Sequence, residues 1–138
     1  MDTDTGFVKL LKHWCAEDYG TVINPMLVDE QIRGGVVQGI GAALFEHCLY
    51  DEHGQLLNGN MADYLVPMSG EMPDIIIGHV ETPTKTSELG AKGAGEAGTA
   101  GAPGAVMNAI NDALAPFKAY VTHQPATPER ILRALGKV

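Results

Sequence analysis

Basic charge, cysteine and long apolar runs are all scarce in this sequence, and each shortage excludes a class of function. Nine Lys and Arg stand against seventeen Asp and Glu, for a formal net charge of -8 and a pI near 4.9. Nucleic-acid affinity depends on a basic footprint that displaces counterions from phosphates, so neither DNA nor RNA is expected as a partner. No apolar run approaches the roughly 18 residues of a membrane span. The opening MDTDTGF is acidic and polar, where a signal peptide is basic and then apolar. No membrane association and a cytoplasmic location are therefore expected. The two cysteines, Cys15 and Cys48, form no CxxC pair and have no histidine at zinc-finger spacing, so both read as buried thiols.

What is present suits one domain spanning residues 1–138, since 45% of the residues are hydrophobic and 19% charged. A chain of that length can bury roughly 68% of the surface its unfolded form exposes. Glycine is plentiful and unevenly placed: of 17, six fall between Gly90 and Gly104 and four between Gly34 and Gly41.

The apolar pattern predicts an α+β fold: a mixed sheet, a long glycine-marked helix, and a second helix after a Gly-rich loop. Residues 7–19 partly alternate apolar with polar side chains, as a half-buried strand does. Asn24-Pro25 reads as N-cap and first helical residue, because asparagine accepts an orphan N–H and proline has none to lose. From there to about Glu46, Leu27, Ile32, Val36, Ile40 and Leu44 mark one helix face. A turn at Asp51–Gly54 suggests a hairpin returning through Gln55–Leu57. DIIIGHVE (74–81) is the clearest strand. Pro103 is expected to open a second helix carrying Val106, Ile110 and Leu114. A short strand at 118–121 and a last helix capped by Thr127-Pro128 complete the chain.

Two readings of the first glycine cluster stand side by side. Each glycine inside a helix costs about 1 kcal/mol relative to alanine. Either close packing of another element or close approach of a ligand to bare backbone offsets that cost.

The second cluster, GAKGAGEAG (90–98), admits three tests. A Walker A loop fails, because Gly95 is followed by Glu96 rather than Lys and Ser/Thr. Gly93, Gly95 and Gly98 match a dinucleotide fingerprint literally, but TPTKTSEL before them is no buried strand and no acidic residue follows at about 20 positions. The third reading centres on Glu96, a carboxylate flanked by Gly95, Ala97 and Gly98. With no neighbouring side chain to shield it, it can serve as a general base; an exposed loop glutamate is the plain alternative. Other catalytic patterns are missing: the five histidines form no HExxH, no serine has a G-x-S-x-G context, and neither cysteine has an activating neighbour. Gln38, on the glycine-marked helix, can donate and accept hydrogen bonds to a heterocycle, or simply be solvated.

The order of these motifs resembles a known family. Asn24-Pro25, Gln31 before Gly34-Gly35, Gln38-Gly39-Ile40-Gly41, Asp63-Tyr64, Pro67, Glu81-Thr82-Pro83, the loop 90–98, Asn108-Ala109, Asp112 and Thr127-Pro128-Glu129 are similar to the C-terminal part of the molybdenum-binding large subunit of the xanthine dehydrogenase and aldehyde oxidase family, in wording like that of bacterial carbon monoxide dehydrogenase large chains. The resemblance runs from about Thr5 to the end. It implies that Glu96 is the base acting on a molybdenum-bound hydroxyl, whose oxygen attacks an aldehyde or N-heterocycle carbon while hydride passes to a sulfido ligand. It further implies that Gln38 and Gly39 lie on the helix meeting the pterin and that Lys92, Gly93, Ala94 and Gly95 run past the cofactor. The cofactor implied is molybdopterin, in bacterial relatives generally the cytosine dinucleotide form, with no metal ligand from this chain. His47 and Tyr19 depart from the pattern, standing where relatives commonly carry an acidic residue and a cysteine.

Large subunits of that family are several times longer, and this sequence has no cysteine set for iron–sulfur clusters and no flavin domain. The expected partners are therefore the remainder of the molybdenum subunit, an iron–sulfur subunit and a flavin subunit. Oxidative hydroxylation or CO oxidation is expected only within that assembly, the isolated chain being inactive. The contrasting expectation is a catalytically silent scaffold or interaction module that forms a homo-oligomer.

Overall fold

The computed structural model describes residues 1–138. It orders them as strand β1 (Lys12–Asp18), helix α1 (Pro25–Leu44), strand β2 (Asp74–Val80), helix α2 (Ala97–Leu114) and helix α3 (Pro128–Ala134), with single 3-10 turns at Ser69–Glu71 and Ala115–Phe117. The α+β class is as expected. β1 and β2 form a two-stranded parallel sheet in which Trp14 lies opposite Ile76 and Cys15 opposite Ile77. Antiparallel pairing is confined to isolated bridges, Gly20 with Ala91 and Tyr50 with Leu56.

α1 begins as its sequence requires. The Asn24 side chain accepts the Leu27 N–H at 3.3 Å, and Pro25 occupies the first turn. Ile32, Val36, Ile40 and Leu44 are buried along one face. Leu27, at the head of the same stripe, is exposed, because nothing in the chain covers the first turn.

α1 and α2 meet through their glycines. A Cβ on Gly39 would lie 2.7 Å from the Ala102 Cβ and 2.9 Å from the Pro103 Cδ, and one on Gly98 would lie 3.0 Å from the Ile32 carbonyl oxygen. The backbones touch where side chains are missing, so packing accounts for Gly39 and Gly98, while Gly34 faces open space. Behind this contact, Val106, Ile110 and Leu114 of α2 join the α1 face in the core, closed by Ile75, Val121 and Ile131.

Several expectations are corrected. α2 starts at Ala97, six residues before Pro103, which lies inside the helix. A proline there removes a backbone donor and crowds the carbonyl of Thr99, and the contact of its Cδ with the Gly39 face offsets that cost. Residues 118–121 form no strand: Lys118 is left-handed at φ 55, and the Asn111 side chain pairs with both the Val121 N–H (2.8 Å) and its carbonyl (3.0 Å) in place of a neighbouring strand. The 45–57 hairpin reduces to one bridge around a turn, with Asp51 accepting from the N–H groups of His53 and Gln55. β1 covers only 12–18 of the 7–19 segment, the length that β2 can pair. Cys48 is exposed and Cys15 half-buried, so neither is a fully buried thiol.

The chain leaves much of its apolar surface in solvent. Its accessible area is 8844 Å², against about 6,900 Å² from the area–mass scaling of self-contained proteins at this mass. Twenty large apolar side chains are exposed, against twelve among the 16 buried core residues, the other four being alanines. No helix is long and apolar enough to cross a membrane.

Candidate functional site

The 90–96 segment is fixed at both flanks. On one side the Lys92 N–H donates to the Tyr19 carbonyl at 2.8 Å, the Thr21 and Thr84 N–H groups both donate to the Gly90 carbonyl, and the Ser87 hydroxyl donates to the Ala91 carbonyl. Gly20 and Gly90, at φ 64 and 71, take the left-handed turns that this crossing needs. On the other side the Gln31 amide of α1 donates to the Gly95 carbonyl at 3.2 Å.

Asp18, the last residue of β1, is the hub of the first flank. One of its oxygens accepts the N–H groups of Gly20 (2.8 Å) and Thr82 (3.0 Å); the other is 2.8 Å from the Lys92 ammonium. The Lys92 hydrogen bond and then those two N–H groups hold the Asp18 carboxyl well below the usual carboxylate range. The Lys92 side chain is thus committed within the protein.

Beyond Lys92 the backbone is bare. The N–H groups of Gly93 through Thr99 donate to no acceptor in the chain; the first helical bond here is Ala100 N–H to the Glu96 carbonyl. A Cβ at Gly93 or Gly95 would meet nothing within 4 Å. Glu96 occupies the N-cap of α2, its carboxylate exposed and without a hydrogen bond or ion pair. A Gly-rich turn followed by free N–H groups and a helix N-terminus favours electron-rich, anionic ligand groups.

α1 presents Gln31, Gly35 and Gln38 to this segment, a spacing that puts them on one helix face. The Thr99 hydroxyl lies 3.1 Å from the Gly35 carbonyl and 3.3 Å from the Gln38 Oε1. The structure therefore brings Gln38 to Thr99 in the first turn of α2, with its amide N–H groups unused. Gly39 lies buried one residue further on, against α2 rather than open to a ligand.

A cleft of about 460 Å³ separates the start of α1 (Asn24, Leu27, Gln31) from Ala91, Ala94 and Gly95. Tyr19 also lines it, buried, its hydroxyl without a partner. A cleft of about 490 Å³ lies elsewhere, between Phe7, Tyr64 and Met68; it is mostly apolar and lacks the donors that crowd around Glu96. No three His, Cys, Asp or Glu side chains are grouped as metal ligands.

The dinucleotide fingerprint is out of place, as expected: β2 ends at Val80, ten residues before Gly90, and Gly98 packs on a helix. Sequence reasoning missed Asp18 and gave Gln31 no role. The only local signal was an acidic residue ending a strand just before a Tyr-Gly turn.

The family model of the molybdopterin cofactor-binding domain matches residues 1–73. The chain is 49% identical over 134 residues to the nicotine 6-hydroxylase large subunit of Paenarthrobacter nicotinovorans, covering 97% of this chain and 16% of that one. It is 33% identical over 137 residues to the carbon monoxide dehydrogenase large chain of Hydrogenophaga pseudoflava, covering 98% of this chain and 17% of the relative. Among solved structures, quinoline 2-oxidoreductase from Pseudomonas putida 86 superposes with a TM-score of 0.95 at 44% identity, over 99% of this chain and 17% of that one. The chain thus spans about one sixth of the length of these relatives.

Proposed function

Because this chain belongs to the molybdopterin cofactor-binding domain family, as a segment of a molybdenum hydroxylase large subunit, we propose that it supplies that subunit's catalytic base, Glu96, and part of its cofactor cradle. The observation that carries the proposal is the unpaired Glu96 carboxylate standing at the head of α2 beside a run of unused backbone donors.

The residues present fit an anionic, acceptor-rich cofactor. The N–H groups of Gly93, Ala94 and Gly95 and the free amide hydrogens of Gln38 would hold it, with open space at Gly93 and Gly95 for close approach. Gly39 contributes by letting α1 and α2 touch, which sets Gln38 against Thr99 in the first turn of α2. Lys92 contributes its place in the chain; its ammonium, engaged by Asp18, pins the cradle. When bound, the cofactor would supply, through its molybdenum, the two-electron acceptor for oxidation of substrate carbon.

Glu96 takes up at its carboxylate the proton lost as an oxygen nucleophile bonds to that carbon. A base must reach the reacting hydroxyl within about 3 Å, and the small residues around Glu96 leave that approach open. The Gln31 clamp on Gly95 fixes the backbone one residue before the base.

The cytosine dinucleotide form of the cofactor, an aldehyde, N-heterocycle or CO substrate, a cytoplasmic location, and iron–sulfur and flavin partner subunits belong to the same proposal. Partner subunits are supported by a relative named as subunit gamma of the 6-hydroxypseudooxynicotine dehydrogenase complex. Metal and nucleotide analysis tests the cofactor assignment, applied to the chain alone and to its assembly with the remainder of a large subunit. Molybdenum and a cytidine nucleotide in the assembly alone are expected. Molybdenum-free assemblies would overturn it.

A further inference from the structure

Positive charge is concentrated in one part of an otherwise acidic chain. Of nine Lys and Arg, four (Lys118, Arg130, Arg133 and Lys137) lie in residues 118–138, which carry only one of the seventeen carboxylate side chains, Glu129. Arg130, Arg133 and His123 converge on a cleft of about 350 Å³, lined also by Tyr120, Val121 and Thr122 and by no carboxylate.

The cleft is built on fixed backbone. Val121 is buried and pinned through both its backbone groups by Asn111. The Arg130 guanidinium is anchored by one nitrogen, which donates to the Pro125 carbonyl at 2.8 Å, while its other N–H groups have no acceptor in the chain. Arg133, three residues on and so adjacent on the surface of α3, is held only by Glu129 at 2.7 Å, and both members of that pair are about two-thirds exposed. An ion pair in solvent contributes little, so it yields to a ligand that offers more charge. The Thr122 hydroxyl and the His123 Nδ1 lie 2.8 Å apart in the same lining, and the Tyr120 side chain beside them is 66% exposed.

A guanidinium presents a planar fork of N–H donors that matches the spacing of two oxygens on one oxyanion. Two such forks in one cleft, one already oriented, favour a dianion with several oxygens over a single carboxylate. We infer that the cleft between Tyr120 and Arg133 is a phosphate site, taking either free phosphate or the phosphate of a small ester whose remainder rests on Tyr120. The site shares no residue with the cradle around Glu96, so the inference stands apart from the proposed function.

Titration of the isotope-labelled 138-residue chain with inorganic phosphate, followed by NMR at constant ionic strength, tests it. Saturable shifts are expected at the Thr122 and His123 amides and at the Arg130 and Arg133 Nε resonances, with a Kd of about 1 mM or tighter. Arg133→Gln should weaken binding about tenfold, and Arg133→Lys, which keeps the charge and loses the fork, about threefold. Lys85→Gln, exposed elsewhere, should leave the affinity unchanged. Adenosine monophosphate distinguishes the sources: tighter binding with shifts of the Tyr120 ring assigns an ester, and affinity no greater than that of phosphate assigns the free ion. Shifts that do not saturate, or that keep their affinity in Arg133→Gln, would overturn the site. Hexaglutamate binding the same groups more tightly than either phosphate compound would assign the cleft to an acidic protein segment and overturn it as well.

Discussion

Asp18 and Lys92, 74 residues apart in sequence, are joined by a 2.8 Å hydrogen-bonded ion pair. That pair ties the end of β1 to the start of the bare backbone leading to Glu96. The Asp18 carboxylate also gathers the N–H groups of Gly20 and Thr82, so one side chain fixes three segments.

Replacing Asp18 with Asn should loosen this clasp without unfolding the chain, because both partners are about a third exposed and an exposed pair adds little to global stability. The expected readout is faster amide exchange at Lys92 and its neighbours. The pH dependence has a definite sign. A carboxyl whose pKa is lowered by folding stabilises the fold above its unfolded value, about 3.9, and loses that contribution as the pH falls through the folded value. Protection at Lys92 in the native protein should therefore persist into acid below the ordinary carboxylate range and then fail. In the Asn variant it should be weak throughout.

Gly39→Ala and Gly34→Ala should have opposite effects. A methyl at Gly39 meets Ala102 and Pro103 inside van der Waals contact, and overpacking of that kind costs about 1–3 kcal/mol. Gly34 faces open space in the same helix, so alanine there should stabilise by about 0.8–1 kcal/mol through helix propensity. Urea denaturation of the two variants checks both signs.

The contrast between these glycines shows how far the sequence could be read. The periodicity of Ile32, Val36 and Ile40, and the caps at Asn24 and Thr127, gave α1 and α3 because those signals are local. Which glycines pack and which lie open depends on where α2 sits, and no local pattern carries that. Pro103 misled for the same reason: proline marks a helix start by propensity, but here the packing of α2 on α1 holds a helix on both sides of it. Glu96 was legible as an unshielded carboxylate; its clasp through Asp18 and Gln31 was not, because those partners lie 78 and 65 residues away.

Asn111 substitutes for a strand, and that substitution should be expensive to remove. Asn111→Ala leaves the buried Val121 N–H and carbonyl unpaired, which costs about 1–3 kcal/mol for such groups. Thermal unfolding should show the loss, with Lys118–Thr122 becoming the least protected part of the core in amide exchange.

Tyr64 donates to the Glu46 carboxylate at 2.7 Å. That hydrogen bond to a charged acceptor pushes the phenol up to about 12. Glu46→Gln removes the charge and should return Tyr64 toward about 10, visible in an ultraviolet pH titration as a late tyrosine joining the others.

The most direct test of the base assignment is Glu96→Gln in the assembled, molybdenum-loaded subunit, with metal content and turnover measured on the same preparation. The account predicts molybdenum at the native level and turnover lower by a factor of about 10² or more, the usual contribution of a positioned general base. Turnover unchanged at full molybdenum occupancy would contradict it.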